Sequence, residues 1–232
     1  MALEFDPSVA IAHLSAADKR LARLIGRAGP FTLDALPIDS PFVALLRAIV
    51  NQQLSGKAAA TIYGRVLAEL PTSGKPKPQW IVDLPAQRLR ACGMSHAKVA
   101  SAKDLAEKTL DGTVPALARM RRMSDEELVS RLTQVRGIGV WSVEMLLMFR
   151  LGRPDVLPVS DLGVRKGFML TYGGDELPAP RELLCKGERW RPYRSVASWY
   201  LWRAVDLHAA RQARLPAKAP RKKAARRRVG SK

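Results

Sequence analysis

Residues 131–168, RLTQVRGIGVWSVEMLLMFRLGRPDVLPVSDLGVRKGF, are the most informative stretch of the chain. Gly137-Ile138-Gly139 separates two runs with helical apolar spacing, 126–135 and 140–151. Glycines there allow positive φ and a close backbone approach, and the amides that begin the second run suit a phosphate. Because a tight turn between helices uses the same glycines without any ligand, spacing alone leaves both interpretations open.

Helical periodicity continues outward in both directions, and no stretch alternates with period two between turn residues. The sequence therefore predicts an all-α fold of many short helices, with no sheet of consequence. A capping box at Ser124 and Glu127 marks one helix start. The predicted helices cover 7–29, 41–50, 56–70, 80–91, 95–110, 124–134, 140–151, 161–171, 180–186 and 190–209, with 71–79 as a loop.

The formal charge of +18 makes a polyanion the leading partner, while 47% apolar residues indicate a globular body. Residues 211–232 contribute ten basic and no acidic side chains, which leaves +8 for 1–210. We expect this segment to be a disordered tail that scans nucleic acid, although a solubilising terminus or a localisation signal explains it equally well. Two cysteines are too few for a four-cysteine zinc or iron–sulfur site. No apolar run is long enough to span a membrane, and we read no signal peptide.

The pattern LxxVxGIGxWS, followed by LPxSDLGVRKG, resembles the helix–hairpin–helix DNA glycosylase superfamily. The likeness is greatest to alkylbase glycosylases of the DNA-3-methyladenine glycosylase II type. Segments 47–59, 93–98 and 190–202 agree with that family in order, so the resemblance covers about 8–208. It implies a two-lobed helical fold with no extra N-terminal β-domain. Residues 41–150 would form the lobe with the hairpin motif (about 126–151), 1–40 and 151–210 the other lobe, and 211–232 the tail.

By the resemblance, Asp161 is the catalytic residue. Cleavage of an N-glycosidic bond builds positive charge on the sugar, which a carboxylate beneath it stabilises. Asp before an apolar run is also a common helix N-cap, and both roles can hold at once. Bifunctional relatives carry a lysine nucleophile where this chain has Trp141, so the sequence predicts a monofunctional enzyme without lyase activity.

The resemblance also implies an aromatic pocket for the flipped base. Trp141 and Trp202 match positions that face the base, and Met145 and Leu162 would complete the wall. A cationic base such as 3-methyladenine or 7-methylguanine is held by stacking and cation–π attraction and leaves without a dedicated general acid. A single Trp at helical spacing is more often core than pocket.

The resemblance also implies contacts to DNA. The side chain that fills the gap in the base stack is expected to be Gln53, with Leu54 as the other option. In this superfamily the hairpin carbonyls also hold a monovalent cation, Na+ or K+, and no other cofactor is required. The expected contacts to DNA are Gln53, Leu54, Ser55, Lys57, Gly137, Gly139, Val140 and Lys166, and the carbonyls are those of Thr133, Val135 and Gly137.

The sequence thus favours a glycosylase, acting as a monomer, that removes alkylated bases from double-stranded DNA. Two alternatives stay open: a glycosylase for another purine lesion, and a non-catalytic helix–hairpin–helix DNA-binding protein. Asp161, Trp141 and Trp202 together favour the enzyme, because a pure binder needs none of them. We expect a cytoplasmic, nucleoid-associated protein, or a nuclear one in a eukaryote, with no membrane partner.

Overall fold

The computed structural model describes residues 3, 5–33, 38, 40–71 and 75–214. All regular structure in these residues is helical, and they contain no β-strand. The helices are α1 (Pro7–Ala17), α2 (Lys19–Ala28), α3 (Pro41–Asn51), α4 (Gly56–Ala68), α5 (Pro78–Asp83), α6 (Ala86–Ala91), α7 (His96–Leu110), α8 (Leu117–Met120), α9 (Asp125–Leu132), α10 (Val140–Leu146), α11 (Leu162–Tyr172), α12 (Pro180–Gly187) and α13 (Arg194–Arg214). A π-helical turn over Leu147–Leu151 extends α10, and a 3-10 turn over Glu188–Trp190 follows α12.

The predicted helix over 7–29 is two helices that break at Asp18. The backbone of Asp18 is extended, and its carboxylate accepts the amides of Arg20 and Leu21, so it caps α2. The other carboxylate oxygen accepts hydrogen bonds from Tyr172 and from Trp190. Two donors from distant parts of the chain and two from the next turn thus hold the break in place.

Other helix boundaries also differ from the predicted ones. The segment 80–91 is interrupted at Leu84 and Pro85, because proline lacks the amide that a continuous helix needs. The last helix begins at Arg194, after a turn that contains Pro192, and runs to Arg214. The prediction of a disordered tail from 211 is therefore wrong for 211–214, and the rest of that tail, 215–232, lies outside the described residues.

Two hydrophobic cores organise the helices. One consists of buried side chains between Ile38 and Val156, from α3 through the π-helical turn after α10. The other combines α1 and α2 with buried residues from Leu157 to Ala204, mainly on α11 and α13. Phe149 and Trp202 pack against both cores and stack on each other, with ring centroids 5.6 Å apart. The start of α11 lies beside Trp202, at the junction of the two cores.

Within the described part of the chain, no helix combines the length and the apolar character needed to cross a membrane.

Candidate active site

Asp161 receives a hydrogen bond from each side of the junction between the cores. The indole N–H of Trp141, on α10, donates to Oδ2 at 2.8 Å, and that of Trp202, on α13, donates to Oδ1 at 2.8 Å. Oδ1 also accepts the amide of Val164 at 2.7 Å, so Asp161 is the N-cap of α11. The N-cap interpretation of Asp161 is therefore confirmed, its catalytic role stays a prediction, and three donors fix the orientation of its side chain.

Two glycines of the SDLGVRKG segment permit the close packing that creates this arrangement. A Cβ on Gly163 would lie 2.7 Å from Cδ1 and 2.9 Å from Nε1 of Trp202. A Cβ on Gly167, one turn later, would lie 1.9 Å from the carbonyl oxygen of Leu201. Helix α11 can approach α13 only because both positions lack a side chain, and this approach brings the indole of Trp202 to Asp161.

Glu144 places a second carboxyl group near the same site. It lies three residues after Trp141, on the same side of α10, and its Oε2 is buried without a hydrogen-bond partner in the described structure. Burial, together with the charge of Asp161, raises the pKa of Glu144 to about 7 from its ordinary 4.5. The site thus contains one carboxylate that accepts three hydrogen bonds and one carboxyl group that burial favours in its neutral form.

The loop between α3 and α4 carries the expected wedge residues. Gln53 has φ of 57°, in the left-handed region, and is exposed, and Leu54 is 38% exposed. The neighbouring Gln52 donates from Nε2 to the carbonyl oxygen of Gly137 at 2.8 Å, so this loop and the hairpin contact each other directly. Lys98 Nζ donates to the carbonyls of Val50 and Gln52 at 2.8 and 2.7 Å, and burial lowers the pKa of its ammonium group.

Helix α7, which carries Lys98, also contacts the hairpin. Gly137 has φ of +76°, and a Cβ on it would lie 2.5 Å from the hydroxyl oxygen of Ser101. Asp104 accepts the backbone amide of Arg136 at 2.7 Å. Lys98, Ser101 and Asp104 are spaced by three residues and so share one face of α7. This face positions both the hairpin and the loop between α3 and α4, which we call the wedge loop after the role expected for it.

The remaining predicted site residues lie around these features. Met145 lines a groove of about 380 Å³ together with Arg47 and Phe149, and Leu162 is 63% exposed beside Asp161. Ser55 caps α4, its hydroxyl accepting the amide of Ala58. Trp141 and Val140, at the start of α10, are 47% and 50% exposed. Lys57, Gly139 and Lys166 are exposed on α4, before α10 and on α11 respectively. Their contacts with DNA and with a flipped base stay predictions.

The hairpin carbonyls expected to hold a cation are partly engaged. The oxygen of Val135 accepts the amide of Ile138 at 3.0 Å, and that of Gly137 accepts the Gln52 amide. Each carbonyl oxygen retains a second lone pair, and the hard, neutral donor set suits a weakly held monovalent ion. The cation stays a prediction.

Three residues that the sequence did not single out contribute to the site: Glu144, Lys98 and Asp104. Glu144 carries a weak signal, because it is the one acidic residue of a mostly apolar helical run and lies three positions after Trp141. Lys98 and Asp104 act through backbone groups 32 to 48 residues away. Such long-range partners leave no local signature.

The hairpin between two helices, the adjacent wedge loop and a carboxylate at the junction of two helical cores define a helix–hairpin–helix protein with a DNA glycosylase type of site. The chain belongs to the HhH-GPD superfamily of base excision DNA repair proteins, whose pattern matches residues 46–192.

Individual relatives agree with this assignment. DNA-3-methyladenine glycosylase 1 of Schizosaccharomyces pombe is 39% identical over 198 residues, which cover 84% of this chain and 86% of the relative. The structure of the S. pombe 3-methyladenine DNA glycosylase in complex with abasic DNA superimposes with a TM-score of 0.74, covering 83% of this chain and 94% of that one. A DNA-3-methyladenine glycosidase from Bacillus halodurans gives 0.79 at 34% identity, covering 90% and 94%.

Proposed function

We propose that this protein is a monofunctional DNA glycosylase that removes alkylated bases, of the 3-methyladenine and 7-methylguanine type, from duplex DNA. The observation that carries the proposal is the Asp161 carboxylate, oriented by two indole N–H groups beside an exposed aromatic face. Relatives with 39% and 34% identity are named as 3-methyladenine glycosylases, and one of them is complexed with abasic DNA.

The chemistry follows from the position of that charge. The bond between C1′ and the base nitrogen breaks, and its electron pair leaves with the base. A base that is already cationic departs neutral and needs no proton. The Asp161 carboxylate stabilises the positive charge that develops on the sugar, and a water adds to C1′ and releases a proton. The reaction leaves a free base and an abasic site.

The strand stays intact because the chain lacks the nucleophile for cleavage. The position of the lysine in bifunctional relatives is Trp141, whose indole donates to Asp161. An indole nitrogen cannot form a Schiff base with the sugar. Trp141 instead combines orientation of the carboxylate with an exposed ring on which a base can stack.

Duplex DNA is the partner that the surrounding surface fits. The wedge loop and the hairpin are adjacent, joined by the bond from Gln52 to Gly137, so a side chain can fill the stack while the hairpin amides hold the backbone. We propose that the hairpin carbonyls hold Na+ or K+ there. We also propose that the protein acts as a monomer on the chromosome, in the nucleoid or the nucleus.

The test is release of free base from methylated duplex DNA by the full chain. Release of 3-methyladenine or 7-methylguanine, with strand breaks only after hot alkali, is the expected result. Borohydride trapping should give no covalent protein–DNA product. Duplexes containing hypoxanthine or an oxidised purine serve as comparison substrates. Release from one of these alone would assign a different lesion, and tight binding without any release would favour the non-catalytic alternative.

A further inference from the structure

A basic cleft lies apart from the site around Asp161. It has a volume of about 540 Å³ and is enclosed by α2, the C-terminal end of α11 and the second half of α13. Leu24, Leu170 and Leu207 supply an apolar floor. Its rim carries four arginines and one histidine, which are Arg20, Arg23, Arg27, Arg211 and His208.

The charge of this cleft is not neutralised by its own helices. Helices α2 and α11 contain no acidic residue, and the single acidic residue of α13, Asp206, pairs with Arg203 at 2.9 Å on another face. Arg20 is partly engaged, since it donates to the carbonyl of Tyr172 and lies over its ring. Within the described residues, Arg23, Arg27 and Arg211 form no ion pair, and all three are exposed.

The cleft faces away from the catalytic carboxylate. At about 100° per residue, Ala204, His208 and Arg211 are rotated by roughly 180° to 240° around α13 from Trp202, which binds Asp161. Arg211 is also about 13 Å farther along the helix than Trp202. A duplex with one of its bases at Asp161 therefore lies on the other side of α13.

The spacing and chemistry of the arginines fit a phosphate backbone. Arg20, Arg23 and Arg27 follow one side of α2 over about 10 Å, a length that matches about three phosphates of a strand at 3.4 Å each. Guanidinium groups bind phosphate oxygens in a forked geometry. The sequence that follows Arg214 adds eight basic residues and no acidic ones, so positive charge continues along the chain from this end of α13.

We propose that the cleft between α2, α11 and α13 binds the phosphate backbone of a second DNA segment while the lesion site holds the first. The inference rests on the proposed function only in taking DNA as the ligand, and it needs no base excision. Two segments bound on opposite sides of α13 would let the protein pass from one stretch of DNA to another without full release.

The experiment counts short, undamaged duplexes bound per protein by native mass spectrometry at low salt. It compares the full chain with Arg23→Gln/Arg27→Gln/Arg211→Gln. A matched control, Arg119→Gln/Arg122→Gln/Arg181→Gln, removes the same charge from exposed positions outside the cleft. We expect two duplexes on the wild type and the control, and one on the cleft variant. Unchanged thermal unfolding would show that the cleft variant is folded.

The difference between wild type and cleft variant decides the proposal. Equal stoichiometry in the two proteins would overturn it, including the case where residues 215–232 alone hold the second duplex. A wild type that binds one duplex and a cleft variant that binds none would overturn the two-segment proposal, because the cleft would then hold the first segment, and it would also count against the proposed lesion face. Capture of a Glu-rich peptide by the cleft, in place of the second duplex, would assign it to an acidic protein partner and refute the DNA proposal.

Salt dependence gives an independent measure. The logarithm of the association constant for the second duplex should fall with the logarithm of salt concentration, with a slope of about −0.9 per phosphate contacted. Arg23→Gln should make that slope shallower by about one. An unchanged slope would contradict a phosphate contact at this position.

Discussion

The substitution Asp161→Asn separates the charge of the site from its shape. Oδ1 accepts the amide of Val164 and the indole of Trp202, and Oδ2 accepts the indole of Trp141. Asparagine keeps one acceptor oxygen, which can retain both Oδ1 partners. Its NH2 group must then face the N–H of Trp141, so two donors oppose each other. The helix start survives, because Asn caps a helix as well as Asp does.

The size of each effect follows from these contacts. Loss of a charge-assisted hydrogen bond, with a donor left unpaired, lowers the free energy of unfolding by about 1–3 kcal/mol. For a chain of this length, each kcal/mol shifts the melting temperature by about 2–4 °C. The chemical step loses the full negative charge beneath the sugar, and removal of one preorganised electrostatic group costs about 10²- to 10³-fold in rate. We expect base release to fall at least that far.

The assay is single-turnover base release from methylated duplex, with enzyme in excess, alongside duplex affinity and thermal unfolding. The double variant Trp141→Phe/Asp161→Asn is the matched control. It removes the opposing donor, so it should recover part of the lost melting temperature and none of the lost rate. Base release by Asp161→Asn within a few-fold of wild type would refute the reasoning. Recovery of rate in the double variant would show that donor conflict, not charge, limits the reaction.

Three further changes test the packing, the buried carboxyl and the wedge loop. In Gly167→Ala, the new Cβ would lie 1.9 Å from the carbonyl oxygen of Leu201, so the free energy of unfolding in urea titrations should fall by about 3 kcal/mol or more. The control is Gly64→Ala, where the Cβ meets open space, and it should raise the free energy of unfolding by up to about 1 kcal/mol. The pKa of Glu144 is raised from 4.5 to about 7 in the folded protein, so the contribution of its neutral form to folding stability is fully present below pH 4.5. That contribution is lost as the pH rises through about 7. Glu144→Gln should therefore raise stability by up to about 3 kcal/mol near pH 8.5 and by much less near pH 5, and equal gains at both pH values in thermal unfolding would contradict the burial argument. Lys98→Met removes the donor to two carbonyls at the end of α3, so anisotropy should show weaker binding to duplex than wild type and a smaller change with single-stranded DNA.

Local sequence signals predicted the helix starts that depend only on neighbouring residues. The same extended backbone and short acidic side chain make Asp161 an N-cap and place its carboxylate at the mouth of the junction. The capping box at Ser124 likewise begins α9 at the predicted position. These features depend only on residues within three or four positions of each other, so the sequence pattern alone predicts them.

Boundaries set by distant partners could not be predicted in the same way. The apolar stripe of 7–29 continues through Asp18, so periodicity alone predicts one helix. The break is stabilised by donors from Tyr172 and Trp190, which lie 154 and 172 residues later. The predicted helix over 80–91 could have been divided from the sequence alone. Pro85 interrupts it by a purely local effect, the lack of a backbone amide.

Helix α7 shows why the loop between α3 and α4 and the hairpin act as one surface. Lys98 holds the end of α3 by two carbonyls, and Asp104 holds the hairpin by the amide of Arg136. Gln52 then joins the loops directly through the carbonyl of Gly137. A shift of either loop therefore strains contacts to the other. Under the proposed function, the wedge would enter the base stack while the hairpin holds the backbone. The link between the two loops would then fix where the extruded base arrives, next to the Asp161 carboxylate that the two indoles orient.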